Sequence, residues 1–140
     1  MPLATLLTPN IPEAETLTGI AIHTERDCGA AARCLMERGV RSVLIKGGHA
    51  TFGEGCTDRL YERSVDETAL FSAPRVNTSN SHGTGCVLSS AITAFLARGE
   101  SERKAVAHAK MFLTKALQDG KEMICGHGKG PSLIPTILHK

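Results

Sequence analysis

The chain has 140 residues, a formal charge of +2 from 16 Lys and Arg against 14 Asp and Glu, and a hydrophobic fraction of 41%. That length suits about one domain with a core of its own, and the apolar content argues against disorder. The balanced charge argues against a basic nucleic-acid arm or an acidic tail, and an aromatic content of 4% without Trp argues against a stacking platform for single strands.

In chain order, Ala4–Thr8 is a short apolar run broken by Pro9-Asn10. Pro12 suits the first turn of a short helix to about Leu17, with Gly19 at its end. Thr24 is a predicted N-cap with Asp27 three residues on, and Cys28, Ala31, Ala32 and Leu35 follow at helical spacing until Gly39. Val43-Leu44-Ile45 within Ser42–Lys46 reads as a buried parallel strand, ended by Gly47-Gly48. Two further β-like runs, Cys56–Tyr61 and Thr68–Ala73, form a predicted hairpin, set off by Gly53-Glu54-Gly55 and by the polar stretch Glu62–Glu67. After a polar loop, Pro74–Ser81, a helix begins near Gly83 or Thr84 with Leu88, Ala91, Ile92, Phe95 and Leu96 on its apolar face, and Gly99 closes it. Ser101 caps a last long helix carrying Ala105, Ala109, Phe112, Leu113 and Ala116 on one face, and the glycine-rich tail from Gly126 is expected to be irregular. The order βααβββαα is that of an α/β chain with few core strands.

No stretch approaches the about 20 apolar residues of a membrane helix. The start Met1-Pro2-Leu3-Ala4 shows no signal-peptide pattern. The cysteines Cys28, Cys34, Cys56, Cys86 and Cys125 are odd in number and form no CxxC pair, which argues against a disulfide scaffold and for a reducing cytosol. Cys125 and His127 are the one close Cys/His pair, too little for a structural zinc site.

Three segments carry candidate chemistry. In Asn80-Ser81-His82-Gly83-Thr84-Gly85-Cys86, a Gly-x-Gly turn runs into an amphipathic helix. Glycines permit a tight turn, and the first helical turn offers N–H groups without intrahelical partners at the positive end of the dipole, a place for a phosphate. The bland alternative is a glycine-bearing loop that merely starts a helix. Cys86 lies in this turn, where the dipole favours a thiolate that can act as a base or position charge; the alternative is a small buried hydrophobe, the role expected of the other four cysteines. In Thr8–Glu13, Asn10 and Glu13 stand where a strand ends and a helix begins. They can hold a hydrated Mg²⁺, or simply form an Asn turn followed by a first-turn Glu that favours the dipole. Lys46, at a strand end before Gly47-Gly48-His49, can reach a nucleotide phosphate or extend to solvent. His23, His108 and His139 carry no partner signal and read as surface residues, whereas His49 and His82 lie beside the proposed phosphate region.

Together, TPNIPEAETLTG, VLIKGGH, NSHGTGCVLSSAI and GHGKGP, spread over nearly the whole chain, resemble the hydroxymethylpyrimidine/phosphomethylpyrimidine kinases of thiamine biosynthesis, of the ribokinase-like superfamily. The resemblance implies a three-layer α/β/α sandwich with a mostly parallel sheet, of which residues 1–140 would be the C-terminal, ATP- and phosphate-side half, since family members are longer and Asn10 falls near their midpoint. It implies that Gly83, Thr84, Gly85 and Cys86 form an anion hole for the transferred phosphoryl group. Cys86 would be the catalytic residue, standing where sugar kinases of the superfamily carry an aspartate base. Asn10 and Glu13 would serve Mg²⁺ and phosphate, and Lys46 would contact ATP. The implied reaction transfers the ATP γ-phosphoryl group to 4-amino-5-hydroxymethyl-2-methylpyrimidine and then to its monophosphate. The implied partners are that substrate and ATP, without nucleic acid or membrane, with a homo-oligomer or association with an N-terminal half. Ser81 and Val87 stand where threonines are common in the family, and neither removes a backbone donor. Two alternatives stay open: a non-catalytic fragment or interaction module, and a pyridoxal kinase of the same fold.

Overall fold

The computed structural model describes residues 3–48, 56–122 and 130, which fall into two compact units, Met1–Ser72 and Ala73–Lys140. The first contains β1 (Leu6–Leu7), α1 (Ile11–Thr18), α2 (Glu25–Glu37), β2 (Ser42–Ile45), β3 (Cys56–Glu62) and β4 (Val65–Ala73), the last reaching the boundary between the units. The four strands form one sheet in the order β1-β2-β3-β4. β1 runs parallel to β2, Leu6 beside Ser42 and Leu7 beside Val43. β2 runs antiparallel to β3, from Ser42 beside Glu62 to Ile45 beside Arg59.

The two-residue period of a strand sends Val43 and Ile45 to one face and Leu44 to the other. Val43 and Ile45 join Ile11 and Ala14 of α1 and Cys28, Ala31, Ala32 and Leu35 of α2 in a buried core. Leu44 sits in register with Leu60, and both are fully buried. Each such aliphatic side chain contributes about 1.5–3 kcal/mol when removed from water. Both helices start as their sequences predict. Thr24 Oγ1 accepts from the Asp27 N–H (3.3 Å), and Asp27 Oδ2 accepts from the Thr24 N–H (2.9 Å). Gly19, at φ 75°, ends α1 in the left-handed conformation that glycine tolerates.

The α/β class holds, but the mostly parallel sheet is corrected. Among the described residues only β1–β2 pair in parallel, extended by an isolated parallel bridge between Asn10 and Lys46. A parallel connection needs a crossover of about a dozen residues or more. Residues 46–55 leave no room for one between β2 and β3, and the turn Arg63-Ser64 folds β4 straight back on β3. β4 also begins at Val65 rather than Thr68, so the polar stretch expected to separate the strands is largely strand.

The second unit contains α3 (Thr84–Ala97) and α4 (Glu102–Gly120), which pack against each other. α3 buries Leu88 and Ile92, with Ala91, Phe95 and Leu96 half-buried. α4 buries Ala105, Val106, Ala109 and Ala116. The predicted Ser101 cap is only partly realised: Ser101 is the N-cap and its carbonyl accepts from Ala105 N–H (2.9 Å), but its hydroxyl makes no cap bond. No helix among the described residues is long and apolar enough to cross a membrane.

Candidate functional site

The second unit presents the start of α3. Gly83 is its N-cap, at φ 83° and ψ 3°, a conformation in which a side chain would be strained. No side chain caps this end. The Thr84 N–H reaches the Ser81 carbonyl at 3.5 Å, and the helical ladder opens with Val87 N–H to Gly83 carbonyl at 2.9 Å. Between them, the N–H groups of Gly85 and Cys86 have no hydrogen-bond partner among the described residues. Gly83, Thr84 and Gly85 are half-buried and Cys86 is exposed, so the buried-hydrophobe alternative for this thiol is set aside. Ser89, one turn on, donates to the Gly85 carbonyl (3.0 Å) and leaves those N–H groups untouched. Two donors at the positive end of a helix without a capping carboxylate suit an anion.

The turn is anchored from behind. Asn80 is buried, and its Nδ2 donates to the Gly120 carbonyl at the end of α4 (2.8 Å). Gly130 is buried too, and its carbonyl accepts from the His82 N–H (3.2 Å). Sequence reasoning quoted Asn80 within its motif without giving it a role; a short amide shows its partner only once α4 is folded.

In the first unit, Asn10, Glu13 and Lys46 come together where the two parallel strands end. The Lys46 N–H donates to the Pro9 carbonyl (2.9 Å), which carries the ladder to the first turn of α1. Asn10 Oδ1 accepts from the Glu13 N–H (2.8 Å), and Glu13 Oε2 accepts from the Asn10 N–H (2.8 Å), a complete capping box. Lys46 Nζ lies 3.9 Å from the same Glu13 oxygen. An open groove of about 490 Å³ runs beside them, lined by Thr8, Pro9, Asn10, Pro12, Glu13 and Thr16. The bland reading of Asn10 and Glu13 is therefore real, and it leaves Glu13 Oε1 outside the box. Gly47 has a structural reason of its own. Its N–H donates to Asp58 Oδ1 (3.0 Å), and a Cβ there would collide with the Thr57 carbonyl.

The remaining expectations sort as follows. Cys28 is buried, and burial pushes its thiol pKa up, against the pull of Arg59. Burial first, and then the neighbouring Cys28, push the Tyr61 phenol up to about 12. Cys34 and Cys56 are half-buried. His108 is exposed, as a surface residue should be, but it has partners the sequence did not signal: its Nδ1 lies 2.7 Å from Glu100 Oε2, and its ring meets Phe95 edge-on at 5.3 Å. Both contacts span the turn between α3 and α4, beyond the reach of a periodicity argument. His23 and His82 are exposed. His49, Cys125, His127, His139, the Gly53–Gly55 turn and Gly126–Lys129 lie outside the described residues. No group of three or more His, Cys, Asp or Glu able to hold a metal occurs among the described residues.

The family profile of phosphomethylpyrimidine kinase matches residues 1–132. The chain belongs to the phosphomethylpyrimidine kinase family. A hydroxymethylpyrimidine/phosphomethylpyrimidine kinase of Haemophilus influenzae is 45% identical over 130 residues, which cover 91% of this chain and 48% of that protein. A thiamine biosynthesis bifunctional protein of Geobacter sulfurreducens is 45% identical over 127 residues, 91% of this chain and 25% of its own length. Among solved structures, a Staphylococcus aureus pyridoxal kinase in complex with AMP-PCP matches with a TM-score of 0.82 and 31% identity, over 95% of this chain and 47% of that one. This member of the family thus has a ribokinase-like α/β fold and spans about half the length of the curated kinases it matches.

Proposed function

We propose that the chain is the C-terminal, ATP- and phosphate-side half of a kinase that phosphorylates 4-amino-5-hydroxymethyl-2-methylpyrimidine and then its monophosphate, using ATP. The observation that carries this reading is the start of α3, where the Gly85 and Cys86 N–H groups stand without partners among the described residues behind a left-handed Gly83 in a member of this kinase family. Phosphoryl transfer asks mainly for positioning and for stabilisation of charge on the transferred group. In the proposed reaction the hydroxymethyl oxygen bonds to the γ-phosphorus while the β–γ bridging oxygen leaves with ADP. The hydroxyl proton passes to the thiolate of Cys86, and the N–H groups of Gly85 and Cys86 face the equatorial oxygens. Thr84 belongs to the same turn and closes the hole.

In this reading Lys46 contributes a cation toward the ATP phosphates, released from its 3.9 Å approach to Glu13. One carboxylate and one amide, each already half-engaged in a capping box, fit Mg²⁺ as contacts to its water shell rather than as a full ligand set. When bound, Mg²⁺ neutralises charge on the phosphates. The substrate pocket falls to the N-terminal half, joined to this chain or supplied by a partner chain. A homo-oligomer remains compatible with this reading.

A chimera joining the N-terminal half of the Haemophilus influenzae kinase to this chain tests the proposal. ATP-dependent phosphorylation of the pyrimidine is the expected result, and a folded chimera that neither binds ADP nor transfers phosphate overturns it. Pyridoxal is the second substrate to assay, because the Staphylococcus aureus structure similar to this chain is a pyridoxal kinase. The 140-residue chain assayed alone, alongside size exclusion, separates an active half from a non-catalytic module.

A further inference from the structure

The polar loop leading into α3 is tied down by three bonds that none of the phosphate-handling residues makes. Asn80 is only 4% exposed, and its Nδ2 donates 2.8 Å to the Gly120 carbonyl, in the last turn of α4. That carbonyl is one of those a helix end leaves without an intrahelical partner. The neighbouring Lys121 carbonyl accepts from Thr78 Oγ1 (3.3 Å), and the same hydroxyl accepts from the Asn80 N–H (3.0 Å). On the other side, the Gly130 carbonyl accepts from the His82 N–H (3.2 Å). Gly130 packs so closely that a Cβ built on it would collide with Asn80 Oδ1. The last residue tied in this way, His82, directly precedes the left-handed Gly83 that opens the donor pair.

We infer that Asn80 is a positioning residue: it fixes the Ser81–Cys86 turn by clamping it to the C-terminal end of α4, and Gly130 is glycine because the clamp leaves no room for a side chain. The role as a positioner of phosphate donors rests on the phosphoryl-transfer reading; the clamp itself does not. Preorganised donors help catalysis only while they stay aimed, so loosening the clamp acts on the turn and not on nucleotide affinity.

The test is a double-mutant cycle on Asn80→Ala and Gly130→Ala, read in two ways. In the 140-residue chain, exchange of the His82 amide with solvent is expected to accelerate about tenfold in each single variant. The double variant is expected to exchange no faster than the worse single one, because removing the Asn80 side chain removes the collision. In the kinase chimera, each single variant is expected to lose about tenfold in kcat per folded molecule, the folded fraction being taken from its urea titration, with KM for ATP within about twofold. Asn80→Ser, too short to reach Gly120, replaces Asn80→Ala should the latter fail to fold. Unchanged His82 exchange in Asn80→Ala, or additive effects of the two substitutions, overturns the clamp. Accelerated exchange with unchanged kcat overturns its role in catalysis. A wild-type chimera without transferase activity sinks the kinase reading, while the exchange cycle still decides the clamp.

Discussion

In the first unit, Asn10, Glu13 and Lys46 direct polar atoms at one another through two reciprocal cap bonds and an approach of 3.9 Å. In the second, the Gly85 and Cys86 N–H groups point at nothing among the described residues, although a buried Asn80 anchors the loop behind them. The first arrangement stabilises the fold on its own; the second leaves two donors unused by any described residue. A motif of polar residues at a helix start can therefore belong to either class, and its hydrogen bonds tell which. Asn10 Oδ1 and Glu13 Oε2 can serve a ligand only by giving up or sharing a cap, whereas Glu13 Oε1 and the turn at Gly83 give up nothing.

The largest expected effect breaks the comparison at its open end. Cys86→Ala in the kinase chimera is expected to lower kcat by about a hundredfold or more, the scale of a missing general base, with the melting temperature little changed. An activity within a few-fold of wild type reduces the turn to its backbone donors. Next comes Gly83→Ala, which places a Cβ at φ 83°. A loss of about 1–2 kcal/mol is expected in urea titrations.

At the closed end, Asn10→Ala removes the N-cap acceptor of α1, and about 1 kcal/mol of stability is expected to go with it. Glu13→Gln keeps an oxygen for the Asn10 N–H but loses the charge facing Lys46, and Glu13 is 56% exposed. A stability change of only about 0.2–1 kcal/mol is expected. A large fall in kcat with that small change would show that the pair reaches the phosphates despite its cap.

A separate effect, confined to alkaline pH, concerns the first unit's core. Tyr61 stays protonated to about 12 when folded, against an ordinary value of 10.0. The folded state therefore binds the proton more tightly. The stability this supplies is fully present below pH 10 and is lost as pH rises through 12. The urea midpoint is expected to fall across that window, and to fall less steeply in Tyr61→Phe.

Much of the local structure was legible because its causes are local. The Thr24–Asp27 box, the left-handed Gly19 at the end of α1 and the fully buried Val43-Leu44-Ile45 strand all follow from neighbours within a few residues. Strand direction was legible only in part: the parallel reading of β2 holds toward β1, and its antiparallel pairing with β3 was not foreseen. An apolar run suits a buried strand of either sense, and the antiparallel partner of β2 was settled by the short connection to β3. The pairing of His108 with Glu100 and the clamp of Asn80 on Gly120 were equally hidden, since each joins residues that only a folded helix pair brings close.

The sequence by itself determined the α/β class, the family and the glycine-led start of α3, because backbone freedom, capping chemistry and hydrophobic period are written in adjacent residues. Only the tertiary structure decided which polar groups are consumed and which stay open. A hydrogen-bond donor is spoken for by whatever acceptor folding brings within about 3 Å; the Asn10 N–H met Glu13 Oε2, and the Gly85 and Cys86 N–H groups met none among the described residues.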